Sequence, residues 1–204
     1  GGGLGVGQWL DWSRWSKAGG VPGVDGAASR GKDTAVLDSG SMALAVELPG
    51  RVVELSALTL SGSGGVRLVA PGTGSTGGAV VGGGSVGMVL SALVGNPRLE
   101  VSGGSHAIEV PLSLAQRSEV SVAGGARLSL SQPLVGEGAL TKLGLGTLVL
   151  EKGYSYSGET RIEAGRLEIG LGALIGGGSI ALGAGAQLAF HLNQNLVLPN
   201  VITG

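Results

Sequence analysis

One phrase recurs down this chain at a nearly fixed interval. From Leu148 in "GTLVL", backward steps of twenty meet Leu128, Ile108, Met88, Leu68 and Leu48, and forward steps meet Leu167, one residue short, and Leu188. All are apolar. Two residues further on, the same steps meet Ala70, Leu90, Val110, Leu130, Leu150, Ile169 and Phe190. Between them lie Val69, Val89, Glu109, Ser129, Val149, Glu168 and Ala189. Alternation inside each segment marks a strand with one buried face.

Two further ladders share the interval. One runs through Leu58/Leu60, Leu99/Val101, Val120/Val122, Leu140, Ile162 and Ile180/Leu182. The other runs through Leu93/Val94, Leu112/Leu114, Leu134/Val135, Tyr154/Tyr156, Leu174/Ile175 and Leu196/Leu198. Three apolar segments per repeat, separated by corners, describe one coil of a three-sided parallel β-helix. A lone coil cannot bury its apolar face or pair its own backbone, but the coils above and below it do both. The core positions must therefore recur at the coil length. Coils stacked at ~4.8 Å predict eight or nine turns in a rod of roughly 40 Å. Parallel crossovers predict a right-handed winding. The competing fold, a β-sandwich, spaces its strands about 8–12 residues apart and has no need of a fixed register.

Composition agrees with many short strands and tight corners. There are 43 glycines in 204 residues, about three times the ordinary share. The hydrophobic fraction is nonetheless 43% and the mean hydropathy +0.39, whereas a disordered chain is poor in aliphatics and rich in charge. The net charge of −1 offers no basic surface for nucleic acid. Cysteine is absent, which excludes disulfides and thiolate metal sites and suits a chain that crosses an oxidising compartment unfolded.

The pattern divides the chain at residue 35. Residues 1–35 hold Trp9, Trp12 and Trp15 and read as a cap or lead-in, since solenoid ends expose apolar edges that need cover. Residues 36–204 read as the β-helix. The stretch 62–87 is the richest in glycine, so one coil is expected to loop out there. "NLVLPNVITG" at the end reads as an unfinished coil. The start shows neither Met nor a basic, then apolar, segment, so a mature form or an excised fragment is expected. No uncharged apolar run reaches the ~20 residues a bilayer span requires.

The span "GEGALTKLGLGTLVLEKGYSYSGETRIEAGRLEIG", 136–170, carries an ordered motif. Gly136, Gly138, Leu140 and Lys142 open it. Gly144, Gly146, Thr147, Leu148 and Leu150 follow. Then come Tyr156, Ser157, Gly158 and Thr160, and last Ala164, Gly165, Leu167, Ile169 and Gly170. This motif resembles the autotransporter-associated β-strand repeat, also called the passenger-associated transport repeat. It departs at Tyr154, where such repeats carry Asn. The resemblance implies a bacterial surface or secreted protein with a β-helical passenger, and repeats associated with passenger export and folding.

Chemistry is sparse. His106 and His191 are the two histidines. They are expected on the outer surface, about four coils apart, too far for a shared metal or relay. "GGSVG" around Ser85 fits a nucleophile elbow only in a strand–turn–helix context. "GTGSTG" at 72–77 lacks the following helix that would face a pyrophosphate. Paired catalytic carboxylates would need roughly 5–9.5 Å between them. Glu109 and Glu168 are expected at one outward position but three coils apart, and Glu163 and Glu168 flank a corner. Arg98 and Glu100, on one side of one strand, are expected to form an ion pair. Asp11, Asp25, Asp33 and Asp38 fall in or near the irregular start, and the aspartates of calcium-binding repeats are missing.

The expectation is therefore a non-enzymatic structural or adhesive module, extracellular, with no catalytic, metal or cofactor site. The alternatives are a filament subunit stacking end to end on its own copies and, behind that, a carbohydrate-binding or carbohydrate-active β-helix. Expected partners are other copies of the chain or a host or cell-surface ligand, without nucleic acid or a membrane span.

Overall fold

The computed structural model describes residues 5–8, 33–48, 52–70, 86–152, 154–170, 177–191, 195 and 197–204. Every regular element among them is a β-strand, and every strand pairing is parallel. The strands form three sheets that the chain visits in rotation, which is a three-sided β-solenoid.

The first face stacks Thr34–Asp38, Ala57–Ser61, Arg98–Val101, Ser118–Val122, Leu140–Leu143, Thr160–Ile162, Ile180–Leu182 and Ile202–Thr203. The second stacks Gly5–Gln8, Leu44–Glu47, Val66–Val69, Ser105–Ile108, Arg127–Leu130, Thr147–Leu150, Arg166–Ile169 and Gln187–Phe190. The third stacks Val52–Leu55, Gly87–Leu90, Leu112–Leu114, Leu134–Gly136 and Tyr154–Tyr156.

Alternation decides what each strand buries. In Arg98–Val101, Leu99 and Val101 point inward while Arg98 and Glu100 face solvent. The inward residues align from rung to rung. On the first face Leu58, Leu99 and Val120 stand in one column. On the second, Leu128, Leu148, Leu167 and Leu188 do so. On the third the column is Leu55, Leu90, Leu114, Gly136 and Tyr156. Each buried aliphatic contributes about 1.5–3 kcal/mol relative to exposure. The three sets meet in one continuous core.

The interval is looser than a constant twenty, and this corrects several alignments. Neighbouring rungs are 19 residues apart at Thr147–Arg166, 20 at Arg127–Thr147, 22 at Ser105–Arg127 and 24 at Met88–Leu112. Ile108 therefore pairs with Leu130 and Leu68, not with Leu128. Met88 belongs to the third face, between Val53 and Leu112. Val46, not Leu48, stands beside Leu68. Leu93 and Val94 are 64% and 92% exposed, so Met88 and Leu90 take their expected place. The cause is the corner, which absorbs extra residues without disturbing the strands on either side.

The connection between Val66–Val69 and Gly87–Leu90 is 17 residues long where the preceding coil uses four, and most of it, with the coil expected to loop out there, lies outside the described residues. Gly5–Gln8 extends the second face by pairing with Leu44–Glu47. The strand Thr34–Asp38 opens just before residue 36. The three tryptophans, Ser85, all of "GTGSTG", most of "GGSVG", Leu174, Ile175 and Leu196 lie outside the described residues.

Candidate functional site

Two polar side chains enter the core at strand positions that an aliphatic residue would normally hold. The first is Lys142. It stands between Val120 and Ile162 in the inward column of the first face and is fully buried. Its Nζ donates to the Leu143 carbonyl at 2.8 Å, the Gly144 carbonyl at 2.7 Å and the Ala164 carbonyl at 3.2 Å. An ammonium has three donors, and all three are used. Two acceptors lie at the corner of its own coil and the third at the corner of the next. Burial pushes the Lys142 ammonium down to about 8, because desolvation disfavours the charged form.

The second is His106, buried in the second face beside Leu128. Its Nδ1 accepts the Val66 N–H at 2.9 Å, and its Nε2 donates to the Gly103 carbonyl at 2.5 Å. Strand pairing between Val66–Val69 and Ser105–Ile108 is registered only at Arg67–Ala107 and Leu68–Ile108. The imidazole supplies the acceptor that the ladder lacks at Val66. This corrects the expectation of a surface histidine: residues two apart in a strand share a face, so an inward Ile108 places His106 inward. His191 is exposed, with its Nε2 3.9 Å from Glu168.

A third polar feature closes the corner after the third face. Tyr156 and Thr160 are buried and hydrogen-bond through their hydroxyls. Burial pushes the Tyr156 phenol up to about 12, against a smaller downward effect of the Thr160 bond. Thr160 and Ser118 flank Leu140 in its column. Leu140 thus aligns with hydroxyls, and the position expected of it between Val120 and Ile162 belongs to Lys142.

Outside, the charges pair between rungs. Arg67 grips Glu109 with two bonds of 2.7 Å. Glu168 accepts from Arg127 at 2.9 Å and Arg166 at 2.8 Å. Burial acts to raise the Glu168 carboxyl, but the two guanidiniums outweigh it and hold the group below the usual carboxylate range. Arg98 pairs across the rungs with Glu119 at 3.0 Å, not along its strand with Glu100 as expected. Arg161 pairs with Glu163. Glu109 and Glu168 do not share a position either: Glu168 lines up with Val149, Ser129 and Ala107.

A shallow groove of about 240 Å³ on the first face is lined by Arg98, Leu99, Glu100, Glu119, Ser121 and Leu143. Its two closest charges, Arg98 and Glu119, already satisfy one another. No group of three or more His, Asp or Glu among the described residues could hold a metal ion. No helix among them is long and apolar enough to cross a membrane.

Lys142 and the two corners whose carbonyls hold it fall within one stretch, and that stretch has a counterpart among known proteins. Residues 140–169 match the passenger-associated-transport-repeat family. The chain carries such a repeat. The match begins on the strand of Lys142 and ends on Ile169, the last residue of Arg166–Ile169, so it spans the coil that seals the lysine. A stretch of 66 residues is 44% identical to the protein named Adhesin BmaC autotransporter of Brucella suis biovar 1 (strain 1330). It covers 32% of this chain and 2% of that relative's length. No solved structure matches the chain significantly. Alternation from Leu140 would have turned Lys142 inward at the sequence level; read as a motif letter, it carried no position.

Proposed function

We propose that this chain is a non-catalytic β-solenoid module in the passenger of a bacterial surface or secreted protein, serving as a scaffold that carries adhesive contacts. The observation that carries this reading is the transport repeat at 140–169, built into an unbroken ladder of parallel rungs. Likeness to a named adhesin adds the adhesive role. Its mechanism is mechanical. Backbone hydrogen bonds run along the axis, the aliphatic columns hold the rungs together, and the outer strands present side chains at ~4.8 Å intervals to a partner. Catalysis has little to work with, since Glu109, Glu119, Glu163 and Glu168 are each engaged by an arginine.

The test is retention of beads bearing the purified chain on host-cell monolayers. Capture above albumin-coated beads is expected. Background capture would remove the adhesive role and leave the scaffold.

Head-to-tail stacking is the second reading. It is supported by the uniformly parallel pairing of the rungs, since a rung of this kind offers a strand of another copy the same edge that it offers its own chain. Electron microscopy separates the two, because discrete short rods at high concentration would reject the filament. A glycan-binding and hydrolysis screen is expected to stay blank, and any specific hit would restore the carbohydrate-directed alternative.

A further inference from the structure

One inward column of the first face is built, apart from Lys142, from interchangeable aliphatics: Leu58, Leu99, Val120, Ile162 and Leu182 occupy equivalent positions. A bare solenoid edge pairs with whatever strand arrives. A column of Leu, Val and Ile scarcely distinguishes one arriving strand from another, so hydrophobic patterning alone leaves the order of coils weakly specified. Lys142 breaks this degeneracy. Among the described strands it is the one Lys, Arg, Asp or Glu that is buried.

The geometry points to Lys142 as a checkpoint on docking: it keeps the edge at Leu140–Leu143 wet until a corner with its carbonyl placed as that of Ala164 arrives, and rejects a strand that docks without one. Before that coil docks, Lys142 meets the Leu143 and Gly144 carbonyls of its own corner, and its third donor faces water. Docking of Thr160–Ile162 above it excludes that water. Only a corner that presents a carbonyl where Ala164 does then satisfies the ammonium. Any other arrangement buries a charge with an unmet donor, which is strongly unfavourable.

The arriving corner must also come close. Gly165 adopts a φ of +70°, and a Cβ there would sit 2.5 Å from the Gly144 carbonyl oxygen and 2.6 Å from that of Gly146. Gly144 is itself one of the lysine's acceptors. The lysine and the glycine 23 positions later thus form two halves of one fit, and a strand that docks out of register, without that corner in place, is refused.

Two measurements test this. During refolding of the wild-type chain, pulses of an amine-acylating reagent followed by peptide mass spectrometry would read Lys142 apart from Lys17, Lys32 and Lys152. Lys142 is expected to stay reactive until the Arg166–Ile169 amides gain exchange protection, and then to close at the same rate. Loss of reactivity while those amides still exchange would overturn the proposal. Separately, Lys142→Met is expected to unfold at the same or a higher temperature than the wild type. Its yield of correctly paired rod on refolding should fall about twofold or more, with the remainder aggregated, as when a specificity device is removed. An unchanged yield overturns the proposal. So does a variant that never reaches the native rod, because the lysine would then serve stability rather than the choice of partner.

Discussion

The two buried nitrogenous side chains make separable predictions. Lys142 titrates near 8 in the fold against an ordinary lysine value near 10.5. Between those values the unfolded chain binds the extra proton, so stability rises with pH. The melting temperature is expected to climb from about pH 8 to pH 10, and Lys142→Met to abolish the climb. Above pH 10 Tyr156 acts the other way. Its folded value near 12 exceeds the unfolded one, so its contribution is lost as pH rises from about 10 through 12. An upper window that flattens or reverses is therefore part of the same prediction. His106→Leu restores an aliphatic to the column of Leu128 but strips the Val66 N–H of its acceptor. A buried donor left unmet costs about 1–3 kcal/mol, more than the added apolar burial returns. Urea unfolding should show a lower midpoint with an unchanged slope.

At the scale of strands and corners, the strands were legible and the corners were not. Period-two alternation identifies Arg98–Val101, Arg127–Leu130 and Arg166–Ile169 directly, because one face of each is wet. The number of residues between them is set elsewhere, by how each corner turns, and it runs from 19 to 24 over the rungs compared above. This is why a fixed step landed on Ile108 instead of His106, and on Met88, which belongs to the third face. The polar core was hidden for a different reason: alternation from Ile108 and Leu140 turns His106 and Lys142 inward, but a polar side chain is ordinarily assigned to the wet face of a strand. Corner chemistry can itself be tested. Gly165 and Gly185 both hold positive φ, +70° and +78°, yet a Cβ at Gly185 would meet open space while one at Gly165 would meet backbone oxygens of the coil below. Gly185→Ala should therefore cost only the left-handed strain, about 1–2 kcal/mol. Gly165→Ala should cost distinctly more, and the difference between their thermal unfolding midpoints isolates the close approach.

At the scale of the molecule, a solenoid is nearly one-dimensional: each rung touches the rung above and the rung below, and stability is close to a sum of local and nearest-neighbour terms. Damage should then stay near its origin. Leu128 is fully buried between His106 and Leu148, and truncating such a leucine to alanine costs about 2–5 kcal/mol. In a domain that unfolds all at once, that loss would lower exchange protection everywhere by the same factor. Here Leu128→Ala is expected to speed amide exchange in Ser105–Ile108, Arg127–Leu130 and Thr147–Leu150, and to leave Ile180–Leu182 and Gln187–Phe190 close to wild type. Leu128→Asp, which buries an unpaired charge at the same point, should open the rod there outright while the later coils keep their ladder. Hydrogen exchange read by mass spectrometry along the whole chain distinguishes the outcomes. Uniform loss of protection would mean that the rungs are coupled far beyond their neighbours, and the picture of independent coils stacked along an axis would have to be given up.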